Sequence, residues 1–98
     1  MINVVVKAIH TKALIKIDYF PGERVVEPHA IGRSKDGNIL FRAYQRSGAS
    51  TSGEHAYWKL FRIDRAGDIQ EMCEQFAGPR LQYNCNDPAM KGGIIACL

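Results

Sequence analysis

Long apolar runs are missing from this 98-residue chain. No stretch approaches the ~18–20 residues that a bilayer span requires, so a transmembrane helix is excluded. The first residues, MINVVVKAIHTK, carry no leading charge and no small-residue cleavage site, and no signal peptide is expected. Cysteine is scarce: Cys73, Cys85 and Cys97 are odd in number and lie twelve apart, with neither CxxC nor CxxxC. A disulfide framework favours an even count and a zinc site favours close ligand pairs, so reduced thiols in a cytoplasmic protein are expected. His10, His29 and His55 are equally scattered, and no metal or other cofactor is expected. Gly92-Gly93 lacks the Lys-Ser/Thr that completes a phosphate loop. The Ser/Thr-rich stretch 47–52, with His55 and Asp64 beyond it, contains no nucleophile elbow, so a hydrolase is not expected. Nothing in the sequence reads as an enzyme.

The length fits one domain. Thirteen Lys and Arg against ten Asp and Glu leave a mild +3. That excess is uneven, with residues 1–50 holding eight bases and four acids and residues 51–98 holding five bases and six acids. Apolar spacing supplies the elements. Ile2, Val5, Val6 and Ile9 fall at i, i+3, i+4 and i+7, which predicts a helix over 1–12. Ile15, Ile17 and Tyr19 then alternate with Lys16 and Asp18, a half-buried strand that Pro21-Gly22 ends. Arg24 to Glu27 reads as a short strand that Pro28 stops or places at an edge. Asp36-Gly37 signals a hairpin turn, followed by a strand over 39–46.

Residues 47–54 read as a mobile surface loop, 57–64 as a further strand, and 68–76 as a strand or helical turn. The segment 77–98 has few periodic positions and reads as an irregular tail, with Asp87-Pro88 suited to capping one short turn. The expected class is mainly β (α+β): an N-terminal helix, a small, strongly bent antiparallel β-barrel or half-barrel over 13–76, and the tail.

Chemistry suited to binding is more evident. Lys16, Arg24, Arg33, Arg42, Arg46, Lys59, Arg62 and Arg65 lie on or beside predicted strands, interleaved with Tyr19, Tyr44, Tyr57 and Trp58. Guanidinium forks engage phosphates and aromatic rings stack on bases, which is how small barrels take nucleotides or single strands. Solvated strand faces and an aromatic core account for the same residues without a ligand.

Four segments in order resemble a WYL domain: Ile15-Lys16-Ile17-Asp18-Tyr19, then Gly22 to Pro28, then Leu40-Phe41-Arg42-Ala43-Tyr44, then Lys59-Leu60-Phe61-Arg62-Ile63-Asp64-Arg65. The resemblance spans roughly residues 13–72. It departs from the family where Ile39-Leu40-Phe41 replaces the naming tripeptide, where Lys59 replaces an arginine and where Ala66 replaces an isoleucine. It implies an Sm-like or SH3-like barrel with a regulatory or defence role in bacteria or phage. With only twelve residues before the first strand, the DNA-reading domain usual in that family is not expected here.

The resemblance also implies that Tyr19, Arg24, Tyr44, Lys59, Arg62 and Arg65 surround an anionic ligand, a nucleotide-derived molecule or single-stranded nucleic acid. Trp58 would frame that ligand and His29 would line the same mouth. Strand alternation sets Lys59 and Arg65 on the core-facing side with Phe61 and Ile63, with Asp64 as a partner for Arg65. The alternative is a protein-interaction module. In that reading the apolar helix face and Ile94 to Leu98 dimerise or dock onto a larger complex, for example as an inhibitor or sponge of a defence system.

Overall fold

The computed structural model describes residues 1–50, 53 and 57–98. Of the expected 47–54 loop, Ser47 and Gly48 belong to the third strand, while Thr51, Ser52 and Glu54, like His55, lie outside the described residues. An N-terminal helix, α1 (Ile2–Thr11), precedes six strands: β1 (Ala13–Tyr19), β2 (Gly22–Arg33), β3 (Ile39–Gly48), β4 (Tyr57–Arg62), β5 (Ile69–Gln75) and β6 (Gly93–Cys97). All pairings are antiparallel, in the order β4-β3-β2-β1-β5, with β6 also on β2. The path of strands is open, ending at β4 and β5. Among the described residues no helix is long and apolar enough to cross a membrane.

The helix forms despite its three consecutive valines because its apolar stripe is buried, and tertiary packing outweighs intrinsic propensity. Val5, Ala8 and Ile9 are buried in the core with Ile15, Ile17, Val26, Ile31, Phe41 and Phe61, and Ile2 and Val6 pack against it. Lys12, at φ 56°, ends the helix in the left-handed region. The helix face offered to a partner in the interaction-module reading is thus used within the chain.

Three expectations are corrected along the sheet. Pro28 neither stops the second strand, which continues to Arg33, nor lies on an edge strand, since β2 is paired on both sides. On one edge of β2, β1 pairs residues 22–26 and β6 pairs residues 30–33, so Pro28 falls in the gap between them. On the other edge the register against β3 shifts between Pro28 and Ala30. The missing N–H therefore interrupts no regular ladder.

The second correction concerns 77–98, which is not irregular throughout. Gly93–Cys97 forms β6, Ala96 joins the main core, and Leu98 N–H donates to His29 O at 2.9 Å. Gly32 permits that approach, because a Cβ there would lie 2.5 Å from Gly93 O and 3.1 Å from Met90 Sδ. The third concerns cysteine: Cys85 and Cys97 form a disulfide across a Cα–Cα separation of 5.9 Å, and Cys73 alone is a free thiol. Equal spacing in sequence carries no information on which pair the fold brings together.

The turns follow their sequence signals more closely. Gly37 takes φ 87° and donates its N–H to Ser34 O at 3.0 Å, while Ser34 N–H donates to Asn38 O to close the β2–β3 hairpin. Asp87 caps a turn at Pro88-Ala89, accepting the Ala89 N–H at 3.0 Å. The chain between β5 and β6 covers the sheet face opposite the helix. Its Met90 is buried against Ala30 and Leu40, with Tyr83, Ala89 and Cys97 packed around them. This second cover explains why β2 is buried continuously from Val26 to Gly32.

Candidate functional site

The eight residues singled out from sequence divide into separate groups. Tyr19 and Arg24 sit at the β1–β2 turn, where Arg24 is only 5% exposed. Its Nε and Nη2 donate to the carbonyls of Tyr19 (3.2 Å) and Phe20 (2.6 Å), and its guanidinium lies 5.1 Å from the Tyr19 ring centre and 5.4 Å from that of Phe61. Burial pulls its pKa down, and the carbonyls and rings satisfy the charge. Arg24 closes a turn. Tyr19 packs edge-on to Phe61 and accepts the Arg62 N–H on its hydroxyl at 3.2 Å.

The Arg62 side chain forks onto Asp64, with contacts of 3.0 and 2.7 Å. Asp64 thus forks with Arg62, not with its neighbour Arg65, the partner considered from sequence. The strand ends at Arg62 and a 3₁₀ turn (Ile63–Arg65) follows, so the parity argument fails before it reaches Arg65, which is exposed. Lys59 shares the face of Phe61, is half-buried, and extends to Ser50 Oγ at 3.4 Å.

His29, Tyr44 and Trp58 do come together, on the face covered by the segment between β5 and β6. The His29 ring centre lies 4.7 Å from Trp58, 5.4 Å from Phe76 and 5.5 Å from Tyr83. His29 is fully buried and its tautomer is fixed. The backbone N–H of Arg80 must donate to Nε2 (3.1 Å), so the proton sits on Nδ1 and is donated to Glu27 O (2.8 Å). Burial lowers the His29 pKa, against a smaller upward pull from the Glu27 carbonyl. The residue is a neutral core histidine that fastens the covering segment to β2.

That segment supplies the residues sequence reasoning missed. Arg80 forks onto Glu27 at 2.9 and 2.8 Å and lies 4.2 Å from the Tyr44 ring centre. Asp87 forks onto Arg42 at 2.7 and 3.1 Å, which holds its carboxyl below the usual range. Trp58 Nε1–H donates to Leu81 O at 3.3 Å, and Tyr83 O–H donates to Leu98 O at 2.9 Å. The local signals were a polar composition around Tyr83 and the Asp87-Pro88 cap.

Between Trp58 and this segment lies a cleft of about 290 Å³. Trp58 and Tyr83 form aromatic walls, Gln82 and Asn84 contribute amides, and the Arg42–Asp87 pair lies among its lining residues. Asn84 also accepts the Asn86 N–H on Oδ1 at 2.9 Å, so that its Nδ2 is the group left for a ligand. Gln82 takes φ 72°, a region that side chains other than glycine rarely occupy. Of the eight predicted residues only Trp58 lines the cleft; Tyr44 meets Trp58 edge-on (5.7 Å) and His29 backs it. Comparison with protein-family models, with curated proteins and with solved structures returns no match for this chain.

Proposed function

We propose that the protein is a non-catalytic binding domain whose cleft at Trp58 receives the base of a nucleotide-derived ligand or of a single-stranded nucleic acid. The observation that carries this reading is the pairing of two aromatic walls with amide side chains in one small cleft. An aromatic wall offers stacking to any base, and amides can donate to and accept from a base edge. The volume, about 290 Å³, has room for one base. The WYL-type resemblance, with its Sm-like barrel, belongs to the same proposal. It adds a setting of regulation or defence in which the ligand is a signal, not a substrate.

The phosphate contacts expected of Arg24, Lys59, Arg62 and Arg65 do not form part of this reading, because none of the four lines the cleft and the Arg24 and Arg62 side chains are engaged within the chain. Calorimetric titration with nucleoside monophosphates and short single-stranded oligonucleotides tests the proposal. Gln82→Ala and Asn84→Ala alter exposed side chains, and each is expected to weaken binding at least fivefold. Absence of binding at low salt, or affinities unchanged in both variants, refutes it.

A further inference from the structure

A second hollow, of about 500 Å³, lies between the end of β3 and the chain leaving β5, with Glu27, Arg46, Gln75, Gly78 and Arg80 among its walls. Its charges do not balance. The Glu27 carboxylate, 2% exposed, takes the Arg80 fork, and Arg46 Nε stands 3.5 Å from Glu27 Oε2. Two guanidiniums thus share one buried carboxylate, leaving an excess of one positive charge. We infer that this hollow is a binding site for a tetrahedral oxyanion of the phosphate type, held by Arg80 and Arg46.

Three features prepare Arg80 for that role. Its Nε and Nη2 bond Glu27, so the planar guanidinium directs Nη1 and the outer Nη2 hydrogen away from the carboxylate. Its face lies on Tyr44, and its backbone N–H is fixed on His29. The donors are therefore oriented before any ligand arrives, and little ordering entropy is lost on binding. Arg46 supplies the second charge, and among the described residues its only ion pair is with Glu27. Both arginine side chains are 43% exposed, so an ion can reach them from solvent. Glu27 holds the two guanidiniums side by side and leaves the hollow with one surplus charge, not two.

The site is independent of the base cleft, and the experiment separates the two. Inorganic phosphate is titrated against the full chain by amide chemical-shift mapping, with ionic strength held constant by sodium chloride. Saturable shifts are expected at Phe76 to Arg80 and at Arg46. Arg46→Gln should weaken the affinity at least tenfold, Arg46→Lys should recover part of the loss, and Arg33→Gln, at an exposed cation elsewhere, should leave it unchanged. Because Arg46 is itself exposed, its variants are expected to keep the fold. Shifts that do not saturate, equal affinity in Arg46→Gln, or an equal loss in Arg33→Gln would overturn the assignment. Failure of nucleotides to bind at Trp58 leaves it standing.

Discussion

Arg24 shows how residue type alone misleads. On a strand beside a tyrosine it reads as a phosphate ligand, yet its charge is turned inward onto two carbonyls and two rings. Arg24→Ala is therefore expected to lower folding stability by about 3 kcal/mol, the scale of charge-assisted hydrogen bonds lost from a buried site. Nucleotide affinity should stay unchanged, and denaturation together with titration of the folded variant checks both. His29 yields a pH dependence. Its folded pKa lies below the ordinary 6.5, so the unfolded chain binds the proton more readily. The stability it contributes is complete above about pH 6.5 and is lost as pH falls through the lower folded value, where protonating Nε2 breaks the Arg80 bond.

Asp87, also depressed, adds a second loss of the same sign below its ordinary 3.8. Urea denaturation between pH 8 and pH 5 should show falling stability in the native sequence and a flatter profile in His29→Gln. An unchanged slope in the variant would exclude His29 as the source.

At the level of elements, the first two-thirds of the chain is legible because its information is local. The period of α1, the alternation of β1 and the Asp36-Gly37 turn each lie within a few residues of the structure they specify. Pro28 was misread because a proline's cost depends on whether a neighbour needs its N–H, and that neighbour is set by the distant β6. The cover of the second face was not legible for the same reason. It rests on ion pairs 45 and 53 residues apart, Arg42–Asp87 and Arg80–Glu27, and on a disulfide, none of which leaves a periodic trace.

The disulfide closes a loop of sequence separation 12, for which chain entropy gives about 3 kcal/mol. Replacing Cys85 and Cys97 together by Ser should lower stability by about that amount in denaturant titrations. Gly32→Ala should loosen β6 specifically, seen as faster hydrogen exchange at Ala96 and Leu98 with β1 and β3 unaffected, because the added Cβ meets Gly93 O. Equal loosening throughout the sheet would mean that β6 is not a separable element.

For the whole molecule, the two faces of the sheet have different uses. One is sealed by α1 over a continuous apolar core; the other is closed by a polar, irregular segment that meets it through charges, rings and a cleft. Much of the apolar surface that suggested a docking module packs within the chain: α1 joins the core, and Ala96, Ile95 and Leu98 pack in or against it, while Ile94 is exposed. The edge of the covering segment carries the two candidate sites, with aromatic walls at Trp58 and paired guanidiniums at Glu27.

Since Trp58 is the sole tryptophan and forms a wall of the cleft, its fluorescence reports directly on occupancy. Titration with a nucleoside monophosphate, set against ribose 5-phosphate lacking the base, is the most direct measurement. Saturable quenching by the nucleotide, absent with the sugar phosphate and weakened at least fivefold by Asn84→Ala, is the predicted result. Unaltered emission throughout the nucleotide titration, or equal quenching by the sugar phosphate, would contradict a base-binding cleft.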